Sequence, residues 1–175
     1  MRTIQTSVYN FSELSNEAKE NATSKLWGLN VDHDWWEFTY DDASQIGCKI
    51  SGFDLDRANY CNLDFIDSPE EVASQILENH GETCETYKTA KQFLTDRDSL
   101  VFQYSDGVHT DVVSEENEYD FDNDLDQLEA DFKKSLSEDY RIMLSNEFDY
   151  LTSETAIIET IEANSYEFDE DGNLV

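Results

Sequence analysis

Between Arg97 and Lys133 the chain carries twelve carboxylates and no Lys or Arg. Its densest part, residues 115–126 (EENEYDFDNDLD), sets acids at alternate positions with aromatic or apolar residues between several of them. The chemistry open to such a run is cation binding, either of a metal ion or of the basic side chains with which another protein grips phosphate. Strand neighbours two apart lie about 6.6 Å from each other, and helix positions three or four apart bring Cβ atoms within about 5–6 Å. These gaps lie near the scale on which a nucleic-acid strand presents successive phosphates, at about 3.4 Å of axial rise each plus the helical path. The spacing points to electrostatic imitation of a nucleic-acid backbone, with Glu115, Glu116, Glu118, Asp120, Asp122, Asp124, Asp126, Glu129 and Asp131 as the partner-binding residues. The competing reading is a solvated acidic loop.

Other constellations are weaker. Residues 118–129 place acids at positions 1, 3, 5, 7, 9 and 12 of an EF-hand register, with Leu125 at the usual apolar position. Position 6 is Asn123 instead of glycine, and position 1 is Glu118. His80, Cys84 and Cys61 could supply three zinc ligands, but no Cys-x-x-Cys or second close pair accompanies them. No Gly-x-Ser-x-Gly or phosphate-cradling glycine loop occurs. The expectation is a protein that is not an enzyme and has no cofactor.

The charge extends beyond the run: 41 acids stand against 11 bases, for a net charge of -30 and a pI near 4.1. Repulsion from phosphate argues against direct nucleic-acid or anionic-membrane binding, since affinity for DNA comes largely from Lys and Arg displacing counterions. A basic partner remains. Residues 1–97 sum to -10 and residues 98–132 to -12, an unevenness that favours a directed surface over general salt adaptation. Aromatic content of 13% and hydrophobic content of 38% argue against full disorder. One domain over residues 1–175 is expected. No signal peptide or long apolar run is visible, so a cytoplasmic protein with three reduced, mostly packing cysteines is expected.

The elements that must carry these residues follow from periodicity and caps. Alternation over the first ten residues reads as a strand ending near Phe11. Ser15 caps a helix with Ala18, Ala22 and Leu26 on one face, and Gly28 reads as a left-handed stop. A second helix starts at Asp32 or Asp34 and ends at Gly47, with Trp36, Tyr40 and Ala43 inward; Trp27, Trp35, Trp36, Phe38 and Tyr40 read mainly as core. A hairpin spans 48–66 with a bulge near Gly52. Ser68, Pro69 and Glu71 start a third helix that ends at Gly81, and a fourth runs through Tyr87, Ala90, Phe93 and Leu94. Residues 105–110 look like a turn. The first half of the acidic run reads as extended or irregular. From about Asp124 a long amphipathic helix follows, with Leu128, Phe132, Leu136, Tyr140 and Met143 on its apolar stripe. A short helix around Ile157 and Ile161 and a turn at Asp171-Gly172 close the chain. The fold class is α+β: a small antiparallel sheet packed against several helices, one of them long and in the C-terminal half.

Four stretches, residues 8–19 (VYNFSELSNEAK), 34–43 (DWWEFTYDDA), 80–91 (HGETCETYKTAK) and 158–168 (IETIEANSYEF), together resemble a family of small acidic proteins encoded by bacteriophages and prophages, some of them labelled antitoxins. The resemblance implies a phage origin and action in the bacterial host cytoplasm. It brings no catalytic residues. With the charge, it implies a counter-defence inhibitor that mimics nucleic acid before a CRISPR effector or a restriction enzyme, an anti-CRISPR or anti-restriction protein. The alternatives are an antitoxin-like regulator binding through an apolar groove, where Trp35 and Tyr40 would matter most, and a calcium-binding module.

Overall fold

The computed structural model describes residues 7–105 and 112–175. It is an α+β fold with six α-helices and two two-stranded antiparallel sheets among those residues. The helices are α1 (Asn16–Lys25), α2 (Glu37–Gln45), α3 (Pro69–Asn79), α4 (Glu85–Gln103), α5 (Glu118–Leu151) and α6 (Glu154–Ala163). The strands are β1 (Tyr9–Asn10), β2 (Cys48–Asp54), β3 (Tyr60–Phe65) and β4 (Glu167–Phe168). The sequence reads as one domain, and the structure adds a division into two compact units, residues 1–35 with 145–175 and residues 36–144. No helix among the described residues is long and apolar enough to cross a membrane.

The unit made of the two end segments is drawn together by β1 and β4, which pair Tyr9 with Phe168 and Asn10 with Glu167. Phe11 follows in a 3-10 turn, and its ring meets Phe168 edge-on at 6.1 Å. Leu14, Ala18 and Ala22 bury against Ile157 and Ile161 of α6 to complete the core. Both helices start on serine caps: Ser15 Oγ accepts from Ala18 N and Ser153 Oγ from Ala156 N. Such caps satisfy amide donors that the first turn leaves without partners. Gly172, at φ +79, lies so near Ala18 that a Cβ would stand 2.1 Å from its carbonyl oxygen. Gly28 has no left-handed backbone, contrary to expectation; α1 already stops at Leu26.

In the unit over 36–144, α2 begins at Glu37 after a Trp36 cap, later than Asp32 or Asp34. Gly47 ends it at φ +75, and its carbonyl accepts from Ile66 N and Asp67 N, which joins the helix end to the far end of the hairpin. The β2–β3 hairpin shifts register between Ile50 and Gly52, as the glycine suggests. Cys48, Ile50, Cys61 and Leu63 turn inward. The α3 start carries the full capping box of Ser68 and Glu71. Against this layer α4 brings Ala90 and Phe93, and α5 brings Phe132, Leu136, Tyr140 and Leu144.

Candidate partner-binding surface

The acidic run is placed by the end of α4. Tyr104 caps that helix, and its carbonyl accepts from Ser114 N at 2.9 Å and from Asn117 Nδ2 at 3.4 Å. Its ring meets Phe121 edge-on at 6.1 Å, and its hydroxyl donates to Asp124 Oδ2 at 2.7 Å. That hydrogen bond, followed by slight burial and the charges of Asp124 and Asp120, raises the Tyr104 hydroxyl above its ordinary pKa. One residue thus fixes, through its carbonyl, the chain just before residues 115–126 and, through its side chain, the second turn of the helix that carries them.

The helix expected from about Asp124 starts earlier: after a 3-10 turn at Glu115–Asn117, α5 begins at Glu118, while residues 106–111 of the stretch expected to be extended or irregular, with most of the turn expected at 105–110, lie outside the described residues. Acids in a first helical turn are favoured by the helix dipole and the free amides there, which turns alternation into helix instead of strand. On a helix, residues two apart point about 200° from each other, so the alternating acids part into two rows. Glu118, Asp122, Asp126 and Glu129 form one, and Asp120, Asp124 and Asp131 the other. The rows lie roughly a quarter turn to either side of the apolar stripe of Phe121, Leu125, Leu128 and Phe132. The outermost ridge is Asn123, Gln127, Ala130 and Lys134, all exposed. The structure thus brings the acids together as two flanking rails and does not set them on one ribbon.

Glu115, Glu118, Asp120, Asp122, Asp124, Asp126 and Asp131 are exposed. Glu116 belongs to the 3-10 turn, but its side chain lies outside the described residues. Glu129 is half-buried; burial first, then Asp126 and Glu70, raise its pKa, against a lowering by Arg97. The bases that bound the run are drawn elsewhere. Arg97 pairs with Glu70, and Lys133 with Asp64 of β3 at 2.7 Å.

The twelve residues that fit an EF-hand register are helical throughout, so their carboxylates diverge where a calcium loop would converge them. Among the described residues no cluster of three or more His, Cys, Asp or Glu is placed to hold a metal. His80 instead sets Nδ1 at 2.7 Å from Thr86 Oγ1 and Nε2 at 3.5 Å from Asp42 Oδ1, while the Tyr140 hydroxyl donates to Asp42 Oδ2 at 2.7 Å. The hydroxyl–imidazole–carboxylate order resembles a catalytic triad, but Thr86 is only 3% exposed and out of a substrate's reach. These four side chains tie α2, the α3–α4 junction and α5. Burial first, then the bond to Asp42, holds the Tyr140 hydroxyl far above its ordinary pKa.

Of the cysteines, Cys48 and Cys61 are buried packing groups, and burial pushes their thiols up to about 12 and about 11, while Cys84 is exposed. The aromatic cluster is also only partly core. Trp35 is buried against Phe148, and Trp36 and Tyr40 pack on Phe53, but Trp27 and Phe38 are 53% and 82% exposed.

Two features escaped the sequence reading. Asp96 of α4 faces Asp131 across a groove, and Glu17, Glu20, Glu170 and Asp171 gather around the start of α1. Residues so far apart in the chain leave no local pattern; for Asp96 the α4 periodicity was the available signal. Against family models, curated proteins and solved structures, the chain gives no match.

Proposed function

We propose that the chain is a stoichiometric inhibitor that offers the start of α5, as an imitation of nucleic acid, to the basic groove of a host defence complex such as a CRISPR effector or a restriction enzyme. The observation that carries this reading is the pair of carboxylate rows on one helix, over a span with no Lys or Arg. Within a row, four residues advance about 6 Å along the axis. The rows stand on opposite flanks of a helix whose width with side chains is about 10–12 Å, close to the roughly 12 Å of a B-DNA major groove. Two charged rails separated by the uncharged Asn123, Gln127 and Ala130 therefore match a duplex face better than a single ribbon of acids would. A phage origin, implied by the family resemblance, supplies the setting. The net charge of -30 adds long-range attraction to a cationic cleft, which speeds association at low salt.

The test is competition. Purified CRISPR effectors and restriction enzymes are mixed with the chain, and their DNA binding is followed by mobility shift across a salt series. Inhibition should saturate near one chain per complex and weaken steeply with salt. Replacing Asp120, Asp122, Asp124 and Asp126 with Asn should relieve it while circular dichroism shows an intact fold. Undiminished inhibition by that variant overturns the reading, and salt-independent inhibition points to an antitoxin-like apolar interface.

A further inference from the structure

Between α4 and α5 runs an open groove of about 390 Å³, in the lower part of the roughly 300–1,000 Å³ range typical of ligand pockets. Its floor is apolar: Phe93 and Phe132 stack at 4.3 Å, with half-buried Leu128 beside them. Its rim is acidic on both sides, with Asp96 from α4 and Asp131 from α5, both exposed. Gln92 Nε2 donates to Asp96 Oδ1 at 2.8 Å and steadies that carboxylate. Lys88 lines the groove too, but its ammonium is paired with Glu85 at 2.6 Å. Asp131 also belongs to the second acidic row, so groove and row form one continuous surface.

An apolar floor between two carboxylates suits one side chain more than others. A lysine ammonium is compact and strongly hydrated, and gains little from an apolar wall. A guanidinium is planar and weakly hydrated, carries an apolar stem and presents forked donors that match carboxylate oxygens. We propose that this groove receives an arginine side chain of the basic partner, its stem on Leu128 and the aromatic floor and its guanidinium between Asp96 and Asp131. The assignment rests on the mimicry reading and adds to it a point of specificity, since the rails alone would accept lysine and arginine alike.

Calorimetric titration of the full chain with hexa-arginine and hexa-lysine peptides tests this. The unmodified chain should favour hexa-arginine by about fivefold or more, in line with the greater strength of bidentate charge-assisted bonds. The pair Asp96→Asn with Asp131→Asn should erase the preference. Ser135→Phe, which fills the groove without changing charge, should erase it too. The charge-matched pair Asp122→Asn with Asp126→Asn should weaken both peptides and keep their ratio. A ratio of one in the unmodified chain, with both peptides bound in a salt-sensitive way, overturns the groove assignment and leaves the mimicry reading standing. So does a preference that survives the Asp96 and Asp131 replacements. Absence of salt-sensitive binding to either peptide overturns both.

Discussion

Residues 118–131 and 132–144 of α5 follow one helical path and meet opposite demands. The rear stretch buries Phe132, Leu136, Tyr140 and Leu144 and has bases with assigned partners, Lys133 on Asp64 and Arg141 on Glu138 and Asn59. The front stretch has no Lys or Arg, keeps most of its acids exposed and is fastened chiefly through Tyr104. Like charges along a helix face repel and weaken it in isolation. Here the packed rear and the anchored first turns hold the helix that the acids alone would loosen, so one element can carry both the core and a dense charge.

The contrast predicts unequal responses to substitution. Leu136→Ala, in the rear stretch, should lower unfolding free energy by about 2–5 kcal/mol through loss of buried contacts and the cavity left behind. Urea titration measures it, and a loss like that of a surface residue would end the distinction. Tyr140→Phe comes next. Removing the buried hydroxyl that donates to the partly exposed Asp42 should cost about 1–3 kcal/mol, again by urea titration, with Tyr40→Phe as an outer-layer control.

Glu129 sits where the two stretches meet, and its raised pKa fixes the sign of its effect. Below the ordinary glutamate range it is protonated in folded and unfolded chains alike, and its contribution is complete. As pH rises through the raised folded value, its charge becomes a cost and stability is lost. Glu129→Gln should therefore be the more stable chain at neutral pH, by less than about 1 kcal/mol after solvent screening. The two melting curves should converge in acid. A less stable variant at neutral pH would show that attraction to Arg97 outweighs burial. The smallest effect is local: Tyr104→Phe should speed amide exchange over residues 118–124 while leaving the global melting temperature in place.

Much of this framework was legible from residue types. Ser15, Ser68 with Glu71, and Gly47 mark helix ends because caps act within a few residues, and the hairpin shows in the alternation of Cys61, Leu63 and Phe65. The start of α5 was misplaced because alternating acids carry the strand period, whereas the apolar stripe from Phe121 onward and the helix dipole outweigh it. That error changed the site from a ribbon to two rails. Gly28, Trp27 and Phe38 misled because their settings depend on packing that local spacing does not encode. The groove rimmed by Asp96 and Asp131 joins two helices through tertiary structure alone, and the tight approach of Gly172 to Ala18 is likewise a long-range fact.

The pairing of β1 with β4 has a consequence for synthesis. During translation the strand at Tyr9 must wait, without its partner, until Phe168 has left the ribosome, whereas every segment of the unit over 36–144 is available once Leu144 emerges. Nascent chains should then gain protease resistance in two steps, residues 36–144 first and residues 1–35 with 145–175 afterwards. Ribosome-arrested chains of graded length would reveal the order, and simultaneous protection of both units would contradict it.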